Sequence, residues 1–325
     1  MENAFRPAGL RSEGILNMLA PKVDVIIVLY KSADCVHEAI RSLRDQDCPM
    51  ALHLVDNNPG DGSLEAAIAV APDAHVLHSR GNIGFGGGCN IALAEGNAPF
   101  ALLLNPDARL EPHCLDLMLL ALEEDHELAA VGPLVLKIDN ATIDSAGMEI
   151  VVPGWSKDRA RGKDASYAPE SGLVAGLSGG VLLLRREALV AIGRDPCAFW
   201  SELFLYNEDV ELSLALTACG WKLKYLKNAR AWHAVGASES GRRLIRAHAA
   251  RNRILTAISY SHLSDILHPS FCLLWLRRLF LDIPQLWINL HQKELRIKLP
   301  GLLRKAIIRR KTMKEIRQAY KPERP

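Results

Sequence analysis

Short apolar runs alternate with polar loops and with stretches of helical spacing over the first part of the chain. The apolar runs are rich in β-branched or leucine side chains, which is typical of buried strands. They predict strands at Val23–Leu29, Ala51–Val55, His75–His78 and Phe100–Leu104. Helices are predicted at Ser32–Asp47, from Ser63, at Ile91–Glu95 and at Pro112–His126, the last with Pro112 in its first turn. This alternation indicates an α/β fold with a parallel sheet and crossover helices.

The second part of the chain has a less regular pattern. Residues 138–172 are polar, contain glycine and proline and show no clear period, so we expect a long excursion over the surface. Strands are predicted at Gly179–Arg185, Trp221–Leu226 and Ala229–His233, and a helix over Glu208–Cys219 that Gly220 ends. Residues 239–260 and 265–320 have a helical rhythm, and the second segment alternates apolar and basic side chains.

Composition and charge narrow the class of protein. Of the 325 residues 49% are hydrophobic and 23% charged, as in globular proteins, and the net charge of +2 gives no sign of nucleic-acid binding. Residues 293–325 carry a net charge of +9, whereas the remainder carries −7. The seven cysteines are scattered and have no C-x-x-C spacing, which predicts free thiols in a reducing compartment. The sequence shows no apolar signal sequence and no run of 18 apolar residues. We therefore expect a cytoplasmic protein.

Polar side chains follow three of the predicted strands. Tyr30, Asp56 and Asp107 each come directly or within a few residues after a strand ends. In a parallel α/β sheet, ligands bind at the carboxyl ends of the strands, so these three side chains are expected to meet in one crevice. Asp and Asn are also common turn formers, and for any single one of these positions a plain turn is an equal alternative.

A glycine-rich segment, Arg80–Asn90, precedes the predicted helix at Ile91–Glu95. Glycines let the backbone approach a phosphate and offer N–H donors at a helix N-terminus. The segment departs from the dinucleotide pattern G-x-G-x-x-G, because Cys89 stands at the third glycine, and the chain lacks the Gly-Lys-Ser/Thr of a P-loop. Dehydrogenase and P-loop classes are therefore disfavoured, and a pure turn remains an alternative.

Three further positions are candidates for chemistry. Asn105-Pro106-Asp107 places a carboxylate where a divalent cation could share it with substrate phosphates, although the tripeptide is also an ordinary turn. Glu208 and Asp209 open a helix, where two adjacent carboxylates suit a general base, although acidic residues also stabilise a helix N-terminus. His233 follows Trp232 at a strand end, and a lone histidine there is more often structural.

Taken in order, five segments resemble the large inverting glycosyltransferase family 2 that includes bacterial rhamnosyltransferases. They are VDVIIVLYKSADCVHEAIRSL, LVDNNPGDGS, RGNIGFGGGCNIAL, LLLNPDARL and FLYNEDVELSLALTACGWKLKYLKNARAWHAVGAS, from about residue 22 to residue 238. The resemblance implies a GT-A-type nucleotide-diphospho-sugar transferase fold with a mixed, mainly parallel central sheet and a helical C-terminal extension. It implies a flexible leader at 1–21, a catalytic domain at 22–260 and a basic amphipathic helical region at 261–325, with the nucleotide-sugar half at 22–137 and the acceptor and catalytic half at 138–260.

The resemblance also implies roles on the donor side. Asp56 would hydrogen-bond a uracil or thymine base with Tyr30 nearby, and Asn82 and Gly84 would line the nucleotide pocket. Asn105 and Asp107 belong to the family's version of the D-x-D motif. Asp107 would bind the Mn²⁺ or Mg²⁺ that bridges the donor diphosphate, and His233 would be a further metal or diphosphate contact.

On the acceptor side the resemblance implies that Asp209 is the general base, with Glu208 beside it. Asp209 would take the proton of an acceptor hydroxyl as it attacks the anomeric carbon opposite the diphosphate, which inverts the configuration. The expected donor is a UDP- or dTDP-sugar, with rhamnose as the first candidate sugar. The expected acceptor is a glycan or lipid-linked hydroxyl, and no nucleic acid is expected.

Two departures from the family pattern lie on the acceptor side. Relatives often carry an arginine about six residues past the aspartate of the Glu-Asp pair, where this chain has Ala215. The stretch GRDPCAFWSELF replaces the family's Gly-x-Phe-Asp-Glu-x-Phe-Phe. A catalytically impaired, transferase-like assembly protein that binds a nucleotide-sugar or a lipid therefore remains an alternative. A sugar-phosphate nucleotidyltransferase is a second one, although Tyr30-Lys31-Ser32 stands where it would need a G-x-G-T-R-like signature.

The C-terminal segment 265–320 places Trp275, Trp287 and several leucines among basic side chains. Tryptophan and arginine on amphipathic helices suit a membrane interface with anionic lipids, so peripheral binding to the cytoplasmic face of the inner membrane is one hypothesis. The alternative is a helical pair that packs on the catalytic body and exposes a solvated basic face.

Overall fold

The computed structural model describes residues 20–234, 239–261 and 293–319. Within these ranges the strands are β1 (Val23–Leu29), β2 (Met50–Asp56), β3 (His75–His78), β4 (Phe100–Leu104), β5 (Ala108–Leu110), β6 (Leu128–Lys137), β7 (Ile143–Ser145), β8 (Met148–Val152), β9 (Trp155–Asp158), β10 (Gly172–Val174), β11 (Val181–Arg185) and β12 (Lys222–His233). The helices are α1 (Val36–Ser42), α2 (Ser63–Ile68), α3 (Phe85–Glu95), α4 (Cys114–Glu124), α5 (Arg186–Ala191), α6 (Glu208–Ala218), α7 (Glu239–Tyr260) and α8 (Lys293–Ala319).

One mixed sheet organises the molecule. Its main strand order is β10-β12-β6-β11-β4-β1-β2-β3, with β5 paired to β12 and β7 paired to β6. The strands β1, β2, β3, β4, β6 and β12 run in one direction, and β11 runs against both of its neighbours. The expected α/β fold with a mixed, mainly parallel sheet is therefore confirmed. The carboxyl ends of the parallel strands meet at one edge, which is where a ligand is expected.

Helices cover both faces of this sheet. The odd positions of β1, such as Val25 and Ile27, pack in one core with α1 and α4, while Ile26 and Val28 pack in a second core with α3, α5 and α6. Because both faces of β1 are covered, the whole strand is buried, which explains why its sequence is apolar except at Asp24.

The glycine-rich segment is helical where a loop had been expected. α3 begins at Phe85 instead of Ile91, so Gly86 and Gly88 lie inside it. A Cβ on Gly88 would lie 2.6 Å from Val28 Cγ1, and one on Gly86 would lie 2.8 Å from Phe199 Cβ. Glycine is therefore required for the close packing of α3 on the sheet. A smaller correction concerns Pro112, which precedes the N-cap residue His113 of α4 and so lies outside the helix.

The prediction of a surface excursion at 138–172 is wrong in part. This segment forms β7 and the β8–β9 hairpin, and Ile143, Asp144 and Trp155 are buried in it. The strand before it, β6, is buried along almost its whole length and was not predicted. The two strands expected at 221–226 and 229–233 form one strand, β12, whose pairing with β6 shifts register between Leu226 and Arg230.

The C-terminal helix α8 packs against α7 and the catalytic body. Leu302, Ala306 and Met313 are buried on its inner side, as the packing alternative required. Of the segment 265–320, to which the membrane hypothesis applies, residues 265–292 and 320 lie outside the described residues. Across the described parts of the chain, no helix combines the length and the apolar character needed to cross a bilayer. The six cysteines within those parts form no disulfide bond.

Candidate active site

A pocket of about 290 Å³ at the carboxyl edge of the sheet brings together four predicted site residues, namely Asn105, Glu208, Asp209 and His233. The turn Gly179–Gly180, which leads into β11, forms part of its wall. A Cβ on Gly180 would lie 3.4 Å from the amide nitrogen of Asn105. The segment formerly expected to be a surface excursion contributes Asp144, Asp158 and Arg161 to the lining.

His233 lies between two carboxylates at one side of the pocket. Its Nε2 is 3.2 Å from Oδ1 of Asp107, and its Nδ1 is 3.2 Å from Oδ2 of Asp144. Burial alone would lower the pKa of His233, but hydrogen bonds to Asp107 and Asp144 outweigh it and raise that pKa to about 9. The two contacts hold the imidazole ring in one orientation and place Asp107 at the edge of the pocket.

Asp107 and His233 have the spacing to hold a divalent cation, which would take the place of the proton on Nε2 of the histidine. Two ligands at about 2.1 Å from one ion and at a right angle lie about 3 Å apart, close to the 3.2 Å between Oδ1 and Nε2. The two side chains are 31% and 21% exposed, which leaves room for water or phosphate oxygens as further ligands. Asp144 bonds the other ring nitrogen, as the outer partner of a metal-binding histidine usually does. A carboxylate with open positions for oxygen ligands suits Mn²⁺ or Mg²⁺.

A different cluster of possible ligands lies far from this pocket. Asp47, His113 and Asp116 have their ligand atoms close enough together to hold an ion. Asp47 precedes β2, so the cluster lies toward the amino ends of the parallel strands. The carboxylate of Asp116 already accepts hydrogen bonds from the backbone N–H groups of Asp47 and Cys48. The cluster therefore does not bear on the pocket.

Glu208 and Asp209 are the first two residues of α6, and both carboxyl groups are largely buried. Asp209 accepts hydrogen bonds from the N–H groups of Gly179 (3.1 Å) and Val210 (2.8 Å). Burial raises the pKa of both carboxyl groups, and the charge of Asp209 helps to raise the pKa of Glu208 to about 8. With its pKa near 8, Glu208 keeps its proton at neutral pH, whereas two backbone N–H donors favour the charged form of Asp209. A buried carboxylate beside an open pocket is suited to accept a proton.

The loop before this pair has a strained backbone. Phe204, Tyr206 and Asn207 have φ values of 65°, 65° and 76°, in the left-handed region that side chains disfavour. Each such residue costs about 1–3 kcal/mol and persists only where surrounding contacts hold it. The strain lies directly before Glu208, so the contacts that hold the loop also fix the start of α6.

Helix α7 supplies those contacts. The fully buried Asn252 donates its side-chain N–H groups to three loop carbonyls, those of Leu203 (2.7 Å), Leu205 (2.9 Å) and Tyr206 (2.7 Å). Arg251 donates to the carbonyls of Glu202 and Leu203. The side chain of Asn207 donates to Thr256 Oγ1 at 2.9 Å. No local sequence pattern predicts the role of Asn252, because that role depends on a tertiary contact.

A second group of predicted residues surrounds Asn57, at the carboxyl end of β2. The buried amide of Asn57 donates to Asn82 Oδ1 (3.2 Å) and to the carbonyl of Gly84 (3.4 Å) and accepts from the N–H of Ile83 (3.0 Å). Asn82 Oδ1 also accepts from the N–H of Gly84 at 3.0 Å. Asp56 is buried beside Asn57, with its Oδ2 3.4 Å from Nδ1 of His78. Asn57 thus holds the loop that the sequence assigned to the nucleotide, although only its neighbour Asp56 had been singled out.

Gly84 connects this group to the pocket. Its φ is +81°, and a Cβ there would lie 1.9 Å from the carbonyl oxygen of Phe204, so no other residue fits without movement of the backbone. The next residue, Phe85, donates its N–H to that same carbonyl and lines the pocket. Asp56, Asn82 and Gly84 lie outside the pocket lining itself. Tyr30 also lies outside it, 43% exposed at the end of β1.

A comparison with protein-family models decides the class. The model of Glycosyl transferase family 2 matches residues 24–193, which is more than half of the chain. The chain belongs to glycosyl transferase family 2. The matched region contains Asp56, Asn82 and Asp107 and ends before Glu208.

Relatives of this transferase support the assignment. N-acetylglucosaminyl-diphospho-decaprenol L-rhamnosyltransferase of Mycobacterium tuberculosis is 28% identical over 233 residues, which are 64% of this chain and 75% of that protein. Among solved structures, the mannosyltransferase PcManGT from Pyrobaculum calidifontis in complex with GDP-Man and Mn²⁺ has a TM-score of 0.53 at 15% identity and covers 92% of this chain and 86% of that one. GalNAc-T7 with UDP, GalNAc and Mn²⁺ has a TM-score of 0.56 at 14% identity over 72% of this chain, which spans only 48% of the GalNAc-T7 chain. These structures confirm the GT-A-type fold.

Ala215, which stands where the family often has an arginine, lies in the apolar core beside a buried ionic group. Ala215 is fully buried in the core, one helical turn after the fully buried Glu211. Arg194 forms two hydrogen bonds to the Glu211 carboxylate, at 2.8 and 2.7 Å, and Arg309 of α8 adds one at 2.9 Å. The hydroxyl of Tyr260 donates to the same carboxylate at 2.7 Å. Glu211 is thus fully paired without an arginine on α6.

Proposed function

We propose that this transferase moves a sugar from a UDP- or dTDP-sugar to an acceptor hydroxyl with inversion, and that Asp209 accepts the hydroxyl proton. One observation carries the proposal. The buried pair Glu208 and Asp209 shares a single pocket with Asn105 and His233, and Asp107 lies 3.2 Å from His233 at its edge. A proton acceptor and a potential cation site thus adjoin one pocket, in which a donor sugar would sit.

The residues of the chain would act in one displacement step. The acceptor hydroxyl attacks the anomeric carbon while Asp209 takes its proton, and the nucleoside diphosphate leaves from the opposite face. Since Glu208 is protonated, Asp209 is the member of the pair that is free to accept a proton. The backbone N–H of Gly179 holds Asp209 in place throughout. A single displacement of this kind inverts the anomeric configuration.

Asp107 and His233 would hold the Mn²⁺ or Mg²⁺, and Asp144 would fix the orientation of the imidazole. When bound, the cation stabilises the negative charge that develops on the leaving diphosphate. The Mn²⁺ in both named structural neighbours supports this assignment. Asp56, together with Asn82 and Gly84, would contact the nucleoside part of the donor. Asn57 holds Asn82 and Gly84 by hydrogen bonds.

The acceptor and the sugar follow from the curated relative. That protein is named for the transfer of L-rhamnose to N-acetylglucosaminyl-diphospho-decaprenol. We therefore expect a lipid-linked glycan as the acceptor class and rhamnose as the first donor sugar to test, in a pathway of cell-envelope polysaccharide synthesis.

A panel of donors tests the proposal. The protein is incubated with Mn²⁺ and UDP-, dTDP- and GDP-sugars, and release of nucleoside diphosphate is measured with and without a glycolipid that ends in N-acetylglucosamine. We expect release from a UDP- or dTDP-sugar that requires the acceptor, and an inverted product by NMR. Release of pyrophosphate would indicate a nucleotidyltransferase instead, and donor binding without turnover would indicate a binding protein.

The outward face of α8 supports peripheral binding to the cytoplasmic membrane surface. Arg304, Ile307 and Lys311 lie there, and all three are exposed. Basic and apolar side chains on one helix face suit an anionic lipid surface. We expect the full-length protein to sediment with vesicles that contain anionic lipid and the Arg304→Glu/Lys311→Glu variant to remain in solution. Equal sedimentation of both proteins would refute this docking face.

A further inference from the structure

A second groove adjoins the candidate active site on its acceptor side. It has a volume of about 670 Å³ and is lined mainly by β9 and the loop after it, with Glu149 and Tyr167 at other positions. Asp158 and Arg161 line both this groove and the pocket that contains Asp209. A molecule whose hydroxyl group reaches Asp209 can therefore extend past Arg161 into the groove.

The groove has an excess of positive charge, and we call it the basic groove. Its basic side chains are Lys157, Arg159, Arg161 and Lys163, and its carboxylates are Glu149 and Asp158. Arg161 pairs with Asp158 at 2.8 Å and with Asp144 at 3.0 Å. Lys157 and Lys163 are exposed, and in the described parts of the chain no carboxylate lies within ion-pair distance of either.

These charges contrast with the rest of the molecule. Apart from residues 293–325 the chain has a net charge of −7. Four basic side chains on one short segment therefore differ from the charge of the rest of the chain. The segment also forms a concave wall instead of a flat face. Lysine and arginine side chains that converge on a groove are the usual protein ligands of phosphate groups.

We propose that the basic groove binds the phosphate or diphosphate group that links the acceptor sugar to its carrier, while the acceptor hydroxyl faces Asp209. The proposal rests on the proposed function, since it names the acceptor of that same site. Lys157 and Lys163 contact the phosphate oxygens, and Arg161 forms the border between the phosphate and the acceptor sugar. The acceptor is thus recognised by its anionic linkage as well as by its sugar.

The position of the groove favours the acceptor over the donor. All residues that line it belong to the segment 149–169, which lies in the acceptor half of the chain. Asp56, Asn82 and Asp107, the proposed donor contacts, are absent from its lining. The donor diphosphate is expected beside Asp107 and His233, and neither of these residues lines the groove.

Steady-state kinetics with two acceptors tests the proposal. One acceptor is N-acetylglucosamine linked through a diphosphate to a short prenyl chain, and the other is a neutral alkyl N-acetylglucosaminide. Both are assayed in nonionic detergent without phospholipid, so that membrane phosphates cannot contribute. For Lys157→Ala/Lys163→Ala we expect a KM for the diphosphate acceptor about tenfold higher, with unchanged values for the neutral acceptor and the donor. Equal effects on both acceptors would overturn the proposal.

A binding measurement separates this inference from the proposed function. Geranyl diphosphate is titrated into the protein with saturating UDP and Mn²⁺, so that no turnover is needed. We expect the wild-type protein to bind it about tenfold more tightly than the double variant does. The control Lys22→Ala/Lys222→Ala, which removes two lysines at the amino ends of β1 and β12, is expected to match the wild type. Equal affinity of all three proteins would refute the groove, whereas lack of transfer to any acceptor would refute the proposed function.

Discussion

The two neighbouring carboxyl groups at the start of α6 are both largely buried but differ in their hydrogen-bond partners. Glu208 has a side-chain oxygen, Oε2, without a hydrogen-bond partner in the described chain, and its pKa is raised to about 8. Asp209 accepts two backbone N–H groups, which favour its charged form. Near neutral pH Glu208 therefore holds its proton, and the N–H groups of Gly179 and Val210 favour a negative charge on Asp209.

The raised pKa of Glu208 predicts a cost in stability at higher pH. The ordinary pKa of a glutamate is 4.5, and that of Glu208 in the folded protein is about 8. Between these pH values the folded protein keeps the proton and the unfolded chain has lost it. The free energy of unfolding therefore falls as the pH rises through that range. Glu208→Gln cannot ionise. Between pH 5 and pH 8 its free energy of unfolding should gain on the order of 2–4 kcal/mol relative to the wild type. Urea unfolding at both pH values measures this, and parallel pH profiles of the two proteins would contradict it.

At this scale the sequence could predict residues that stand in recognisable motifs. Asn105, Glu208, Asp209 and His233 were predicted and share the pocket, because each stands at the end of a strand or the start of a helix on one edge of the sheet. The supporting residues could not be predicted in the same way. Asn57, Asp144 and Asn252 act through contacts with residues 25 or more positions away, and no local pattern indicates such a contact.

Among the elements, the strained loop before α6 depends on α7. The prediction is that Asn252→Ala lowers kcat about tenfold or more and leaves the donor KM nearly unchanged, because the loop no longer holds Asp209 in one position. The loss of three hydrogen bonds should also lower the free energy of unfolding by about 1–3 kcal/mol. Initial rates are measured well below the melting temperature and divided by the folded fraction.

A matched control for this variant lies on the same helix. Ser259 is buried, and its hydroxyl donates to the carbonyls of Leu255 and Ala306, which both lie outside the loop. Ser259→Ala should lose some stability and keep kcat per folded molecule. If both variants retain wild-type kcat after correction for folding, α7 only stabilises the fold and does not position the catalytic pair.

Strand boundaries show which elements a sequence pattern can predict. β1 and β4 were predicted to the residue, because strands covered on both faces consist almost entirely of apolar residues. β6 was not predicted, because Gly132 and Pro133 interrupt its apolar run and the pattern there resembles a loop. β12 was divided in two because its centre, around Lys227 and Asn228, is polar where the pairing with β6 shifts register.

In the whole molecule, Glu211 joins three parts of the fold. Its carboxylate binds Arg194, Tyr260 of α7 and Arg309 of α8, so α6 and both C-terminal helices share one buried ionic group. The order of the sequence motifs could predict the fold class but not this junction, because its partners lie 17, 49 and 98 residues from Glu211.

This junction predicts a stability that depends on acidity. Burial alone would raise the pKa of Glu211, but Arg194 and Arg309 outweigh it and lower that pKa to about 2. The stabilisation is therefore present above the ordinary value of 4.5 and is lost as the pH falls toward 2. Arg309→Ala should lower the free energy of unfolding at pH 7 by about 1–3 kcal/mol, and the difference from the wild type should shrink below pH 4. Lys311→Ala, an exposed neighbour, is the control, and equal losses in both variants at all pH values would contradict the prediction.

Asp209 is proposed to take the proton of the acceptor hydroxyl. Two measurements on the Asp209→Asn variant test this role. The turnover number is measured with the best donor and acceptor, and donor affinity is measured in the presence of Mn²⁺, with Asp73→Asn at the amino edge of the sheet as the control. For Asp209→Asn we expect a kcat lower by about 10²–10⁴-fold and a donor Kd within about twofold of the wild type. Turnover near the wild-type rate in Asp209→Asn would contradict it.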